Sequence, residues 1–167
     1  MASAIIEMNS ATHNPIDIVE GMVTSRDWNF DRLNAEEMAV EVPGRWCDLS
    51  LYFSWNDEAR AVHFSCALDL RVPEEKRRVV NDLLATINDR MWLGFFNVWD
   101  ELGVPMYRHA IPLRGTFGAS VEQMEDLIEV AVDECDRFYP AFQFVIWGGK
   151  SPREAMDAAM IDPMGEA

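Results

Sequence analysis

The chain predicts an α+β fold, an antiparallel sheet with helices packed on it, in the order α-β-β-β-β-α-β-β-α plus a C-terminal helix. Two observations carry that expectation. Cys47, Leu49, Leu51, Phe53 and Trp55, and then Val62, Phe64, Cys66, Leu68 and Leu70, occupy every second position, as strands with one buried face require. Val80, Leu83, Leu84, Ile87 and Met91 instead recur at i, i+3, i+4 and i+7, the spacing of one helix face.

Residues 1–13 are expected to form a disordered N-terminal segment, 14–162 a single domain and 163–167 a C-terminal tail. Asn14 can cap a first helix, Pro15 suits its first position and Asp17 complements its dipole. That helix runs to about Arg26 with Ile16, Val19 and Val23 on its apolar face. A short strand around Trp28 to Leu33 follows. A tight turn at Val42-Pro43-Gly44-Arg45 would pair Val40 with Cys47 and Met38 with Leu49, and Pro43 favours type II there. A turn at Asn56-Asp57-Glu58-Ala59 would pair Trp55 with Arg60, and so Leu49 with Cys66, Leu51 with Phe64 and Phe53 with Val62, placing both apolar rows on one side.

Val72-Pro73-Glu74-Glu75 opens the second helix. Strands around Phe95 to Asp100 and Met106 to Leu113 turn at Leu102-Gly103. Phe95, Trp99 and Met106 lie on one side, Phe96, Val98, Tyr107 and Ile111 on the other, so both faces are expected to be covered. Ser120 with Gln123 makes a capping box for the third helix, which turns Met124, Leu127, Ile128, Ala131, Cys135 and Phe138 inward. Glu122, Glu125, Asp126, Glu129, Asp133, Glu134 and Asp136 form its solvated acidic face.

Composition restricts the function. A length of 167 residues suits one domain, and a 49% apolar content with six tryptophans excludes a disordered chain. No apolar run approaches the roughly 20 residues that cross a bilayer. The start, MASAIIEMNSATHN, lacks a basic leader, and Cys47, Cys66 and Cys135 are an odd set without close pairing in sequence, which points to reduced thiols and a cytoplasmic location. A net charge of −15 repels phosphate backbones, so nucleic acid is not expected as a partner.

Catalytic and metal motifs fail when tested. Gly149-Lys150-Ser151 lacks the upstream glycine of a phosphate loop, because Phe144 stands there; Gly148-Gly149 reads as a helix stop and Ser151-Pro152-Arg153-Glu154 as the next helix start. His63 and Cys66, three apart on a strand, point to opposite faces. Cys47 and Cys66 face inward while His63, opposite Tyr52, and Asp48 face outward, so thiol and imidazole do not converge. His109 remains open to either face. No cofactor, metal or catalytic residue is assigned, and the chain is read as non-enzymatic.

What remains is aromatic surface. Trp46 and Tyr52 are placed on the side of the first hairpins away from the apolar rows, joined by Trp99 or Tyr107. They suit plain surface, a dimer contact or partner docking. The run from Ala141 to Trp147, with Phe142 and Trp147, is apolar nearly all round, so it needs cover from its own sheet, a second subunit or a client.

Gly44-Arg45-Trp46-Cys47 leading a strand, the segment from Ile87 to Phe96, and FYPAFQFVIWGGKSPREAMDAAM together resemble the YbjN-type bacterial proteins over about residues 14 to 162. That family is described, provisionally, as sensory transduction regulators. The resemblance implies a fold similar to class I type III secretion chaperones, small acidic α+β proteins that commonly dimerise and bind polypeptide segments. The expectation is therefore a cytoplasmic interaction module, homodimeric, that binds a protein client through its sheet or helices. The alternative is a small-ligand sensor or an enzyme with a pocket between sheet and helices, near His109.

Overall fold

All the predicted elements form, and the six strands join one sheet. In the computed structural model, which describes residues 13–165, the order is α1 (Pro15–Ser25), β1 (Asn29–Arg32), β2 (Glu37–Pro43), β3 (Asp48–Asn56), β4 (Ala61–Ala67), a 3-10 turn (Glu74–Lys76), α2 (Arg77–Asn88), β5 (Phe95–Trp99), β6 (Val104–Pro112), α3 (Val121–Ile146) and α4 (Pro152–Gly165). The sheet order is β1-β2-β3-β4-β6-β5, antiparallel throughout. The expected disorder of the first 13 residues falls outside the described residues except for His13, whose amide donates to Phe117 O at 2.8 Å. Residues 166 and 167 of the expected tail also lie outside them.

Local chemistry sets the helix ends. The Asn14 side chain accepts from Ile16 N with Pro15 at the first helical position, and Ser120 and Gln123 cap α3 reciprocally. Gly149 sits at φ 62° while Lys150 N donates to Phe144 O at 3.0 Å, which closes α3; Ser151 Oγ then accepts from Glu154 N at 3.2 Å and starts α4. Gly-Lys-Ser is a stop and a start. The apolar stripe of α2 ends with the helix at Asn88, so Met91 packs from the turn beyond it.

The core lies between one sheet face and the helix layer. Met38, Val40, Leu51, Phe53, Phe64, Cys66, Tyr107 and Phe96 point inward along their strands, and α3 lays Cys135, Phe138 and Phe142 against them. Phe96 is edge-on to Phe138 and tilted against Phe142, so the aromatic run is anchored by this chain's own sheet. Arg32 stays on the helix side and joins Asp17 and Glu20 of α1 at 2.9 and 2.6 Å.

Strand faces follow the expected alternation, but both hairpin registers differ. Val40 pairs with Leu51 and Met38 with Phe53, four positions from the expected partners. Leu51 pairs with Cys66 and Phe53 with Phe64, two positions off. Even shifts preserve the buried face, so burial alone does not select among them. The turns decide. Asn56 is the last rung of β3 because its side chain accepts from Ala59 N at 2.8 Å, and Arg60, at φ 50°, takes the left-handed position that ends the loop. Likewise β2 continues through Pro43, and Gly44 N donates to Cys47 O at 2.9 Å, moving the turn to residues 44–47.

That turn docks on α3 at a defect proline creates. Pro140 has no N–H, so the carbonyl four residues earlier, on Asp136, has no donor within the helix. The Trp46 indole N–H donates to Asp136 O at 2.9 Å, and Arg45 N donates to the Asp136 carboxylate at 2.8 Å. Gly44 is needed for this approach, since a Cβ there would stand 2.6 Å from Cys47 O and 3.0 Å from Asp136 Oδ1. Two of the three stretches that carry the family resemblance, one holding Trp46 and the other Pro140, therefore meet beside one helix carbonyl.

The β5 edge is closed from the side. Asn88, at the end of α2, accepts from Phe96 N at 2.7 Å and donates to Phe96 O at 2.9 Å, supplying what a seventh strand would supply.

Candidate functional site

The helices contact one another as well as the inner sheet face, and among the described residues no layer covers the outer face. Pairing aligns outward residues in rows across it. One row runs Asn29, Glu41, Ser50, Ala67, Met106, Asn97, crossing all six strands. Beside it runs Asp31, Ala39, Tyr52, Ser65, Arg108, Phe95. Small side chains at Ala39, Ser50 and Ala67 leave the middle low.

Two concavities follow the first row and share Glu41 and Ser50. One, of about 410 Å³, is lined by Asn29, Phe30, Asp31, Ala39, Val40, Glu41, Ser50 and Leu51. The other, of about 370 Å³, is lined by Glu41, Asp48, Ser50, Ala67, Leu68, Asp69, Leu102, Val104 and Met106. Among the described residues no lysine or arginine lines either. Trp99 pairs with Val104 and is 44% exposed, extending the apolar end, where Phe95 is also exposed beneath the Arg108 guanidinium. The expectation that both faces of β5 and β6 are covered is thus corrected: Met106 is buried, but Phe95 and Trp99 are open because no element among the described residues lies over this edge. Asn97 Oδ1, at the end of the row, is buried without a donor among the described residues.

Tyr52 is on this face as expected. Its hydroxyl donates to Glu37, and burial together with that carboxylate pushes the phenol up to about 12. The same bond, with a second from Asn34, holds Glu37 below the usual carboxylate range. His63 is exposed here too, opposite Ser54 and not Tyr52, a consequence of the register shift.

The other singled-out residues lie elsewhere. Trp46 belongs to the helix side, held by the Asp136 carbonyl with Arg45 stacked over its ring, so the expected placement on the outer face is corrected. The sequence signal was Pro140, which frees the carbonyl that Trp46 takes. Phe142 is wholly buried and Trp147, just after α3, is 62% exposed. His109 points inward opposite Phe64, half-buried, and burial lowers its pKa. None of the concavities described is lined by it. The acidic face of α3 is not solvated throughout: Glu134 and Asp136 are partly buried, and desolvation raises both carboxyls above their ordinary range.

Sequence spacing did not bring the thiols together, but the fold does. Cys66 and Cys135 are buried with sulfurs 3.6 Å apart, and Cys47 lies within electrostatic reach of both. Their mutual hydrogen bond and burial push the Cys135 thiol well up, the state of an inert core sulfur. Among the described residues no group of three or more His, Cys, Asp or Glu side chains is placed to hold a metal ion.

Fold and surface together define a two-layer α+β module whose sheet is open on one face. The chain belongs to the YbjN family, "Putative bacterial sensory transduction regulator", whose profile it matches over residues 15–144. The crystal structure of YbjN from E. coli, described as "a putative transcription regulator", is similar with a TM-score of 0.51 at 14% identity, covering 72% of this chain and 85% of that one; at that identity the likeness concerns the fold. No curated protein matches significantly.

Proposed function

We propose that this protein is a non-enzymatic interaction module of a cytoplasmic regulatory system, which binds a polypeptide client in chaperone-like fashion on the open face of its sheet. The supporting observation is the continuous outer face, with a concave middle and the exposed rings of Phe95 and Trp99 at one end. Exposed aromatics beside a groove are characteristic anchors for protein partners. Three free cysteines suit the reducing compartment. No helix among the described residues is long and apolar enough to cross a membrane. A second copy of the chain is the competing occupant, which light scattering tests directly.

A photo-crosslinking side chain at Ser65, in the middle of the outer face, should trap a discrete protein adduct in cells. The same probe at Glu129, exposed on α3, should not, and Trp99→Ala should weaken the Ser65 adduct. Equal adducts from both positions would rule out docking on the sheet.

A further inference from the structure

The outer groove has a charge pattern that specifies the chemistry of its occupant. Asp31 and Glu41 line one concavity and Glu41, Asp48 and Asp69 the other, while no cationic side chain among the described residues lines either. None of these four carboxylates forms an ion pair among the described residues. At the opposite end the lining turns apolar, with Leu102, Val104 and Met106 followed by Trp99. The floor between them is made of Ala39, Ser50 and Ala67, side chains short enough to let a backbone approach the sheet.

Resting on the reading that the sheet face docks a polypeptide, we infer that the docked segment is cationic at one end and apolar at the other. It lies across the strands, with lysine or arginine over Glu41 and Asp48 and its apolar end against Met106 and Trp99. Four strand spacings separate β1 from β6, about 19 Å, the length of about six extended residues. Complementary charge sets register and orientation along that path, and apolar burial at the far end holds the segment. A second copy of this chain fits the groove poorly, because each copy carries a net charge of −15.

The test uses the full chain and a fluorescent synthetic peptide of about ten residues, lysines at one end and leucines at the other, long enough to exceed the groove. Anisotropy titrations compare it with a charge-reversed peptide carrying glutamates in place of lysines, and with spermidine as competitor. Glu41→Gln with Asp48→Asn should weaken peptide binding at least about tenfold. Glu122→Gln with Glu129→Gln, the same change in net charge on α3, should weaken it less than about twofold. Equal losses from both pairs would overturn the inference by reducing it to bulk charge. Displacement of the peptide by equimolar spermidine would overturn it as well, since a small polycation would then suffice. If the charge-reversed peptide binds as well and Trp99→Ala weakens it, the cationic assignment fails while docking on the sheet stands. If neither peptide binds and Ser65 traps no adduct, both fail.

Discussion

The three tyrosines show how far single side chains here are displaced from their solution behaviour. Burial is the first cause for each, with neighbouring charge adding to it: Glu37 beside Tyr52, Glu134 beside Tyr107, Cys47 and Asp69 beside Tyr139. All three phenols are raised, Tyr52 to about 12. A phenol in the unfolded chain ionises near about 10. The folded state thus prefers the protonated form, and the associated stability is complete below about pH 10 and is lost as pH rises through the folded value. Phenolate absorbance of the native protein should show no step at pH 10. One third of the tyrosine signal titrating there would mean that one of these environments is wrong. Tyr52→Phe should flatten, without abolishing, the alkaline loss of stability measured by urea unfolding, because Tyr107 shifts in the same direction. At this scale the sequence was informative where alternation decides a face, as for Tyr52, and silent where a distant partner decides it. Trp46 sits two residues before β3, and nothing near it names Asp136, 90 positions away.

At the scale of elements, parity was legible and register was not. Period-two burial is unchanged by shifts of two or four, so Leu51 faces inward whether it meets Phe64 or Cys66. The choice fell to Asn56, Arg60 and the 44–47 turn, and the last of these is held by α3 as well as by itself. Helix ends were legible because Asn14, Ser120 and Ser151 act within four residues of their own positions. The outer groove left only a weak trace in the sequence, small or acidic residues at outward positions of β2, β3 and β4. The contact between turn and helix can be tested by a double-mutant cycle. Trp46→Phe keeps the ring but leaves the Asp136 carbonyl without its donor, at a cost of about 1–2 kcal/mol. Pro140→Ala restores an in-helix N–H to that carbonyl, so in its background the cost of Trp46→Phe should fall below about 0.5 kcal/mol. Additive losses would show that the indole stabilises by packing and not by satisfying the carbonyl. The β5 edge gives a second test: Asn88→Ala removes both bonds to Phe96 and should cost about 1–3 kcal/mol, with faster amide exchange at Phe96. Unchanged exchange there would mean that the edge is protected by other means.

Across the whole molecule, the excess of acid governs how stability responds to pH and salt. With 29 acidic and 14 basic side chains on a chain of this size, the folded state concentrates like charge more than the unfolded one does. Two carboxyls add to this in the same sense. Glu134 and Asp136 are raised chiefly by desolvation, so the fold binds their protons more tightly than the unfolded chain. Between the unfolded and folded pKa values the native state holds more protons, which makes stability rise as pH falls through the folded values from above. Glu37 opposes them: its carboxyl is lowered by Tyr52 and Asn34, and its contribution is present above the usual carboxylate range and lost as pH falls through its folded value. Its window is therefore more acidic than that of the raised pair, and the two effects separate. Urea midpoints should increase as pH falls from about 8 through the titration of the raised pair, and decline at lower pH where Glu37 is protonated. Raising the ionic strength at about pH 8 should recover part of the same gain by screening surface repulsion, but not the part due to Glu134, which is shielded from solvent. Glu134→Gln should raise the midpoint at about pH 8 and reduce the gain in midpoint on acidification. A midpoint that falls steadily from pH 8 downward would mean that stabilised carboxylates outweigh the buried and crowded ones, and would overturn this account of the acidic surface.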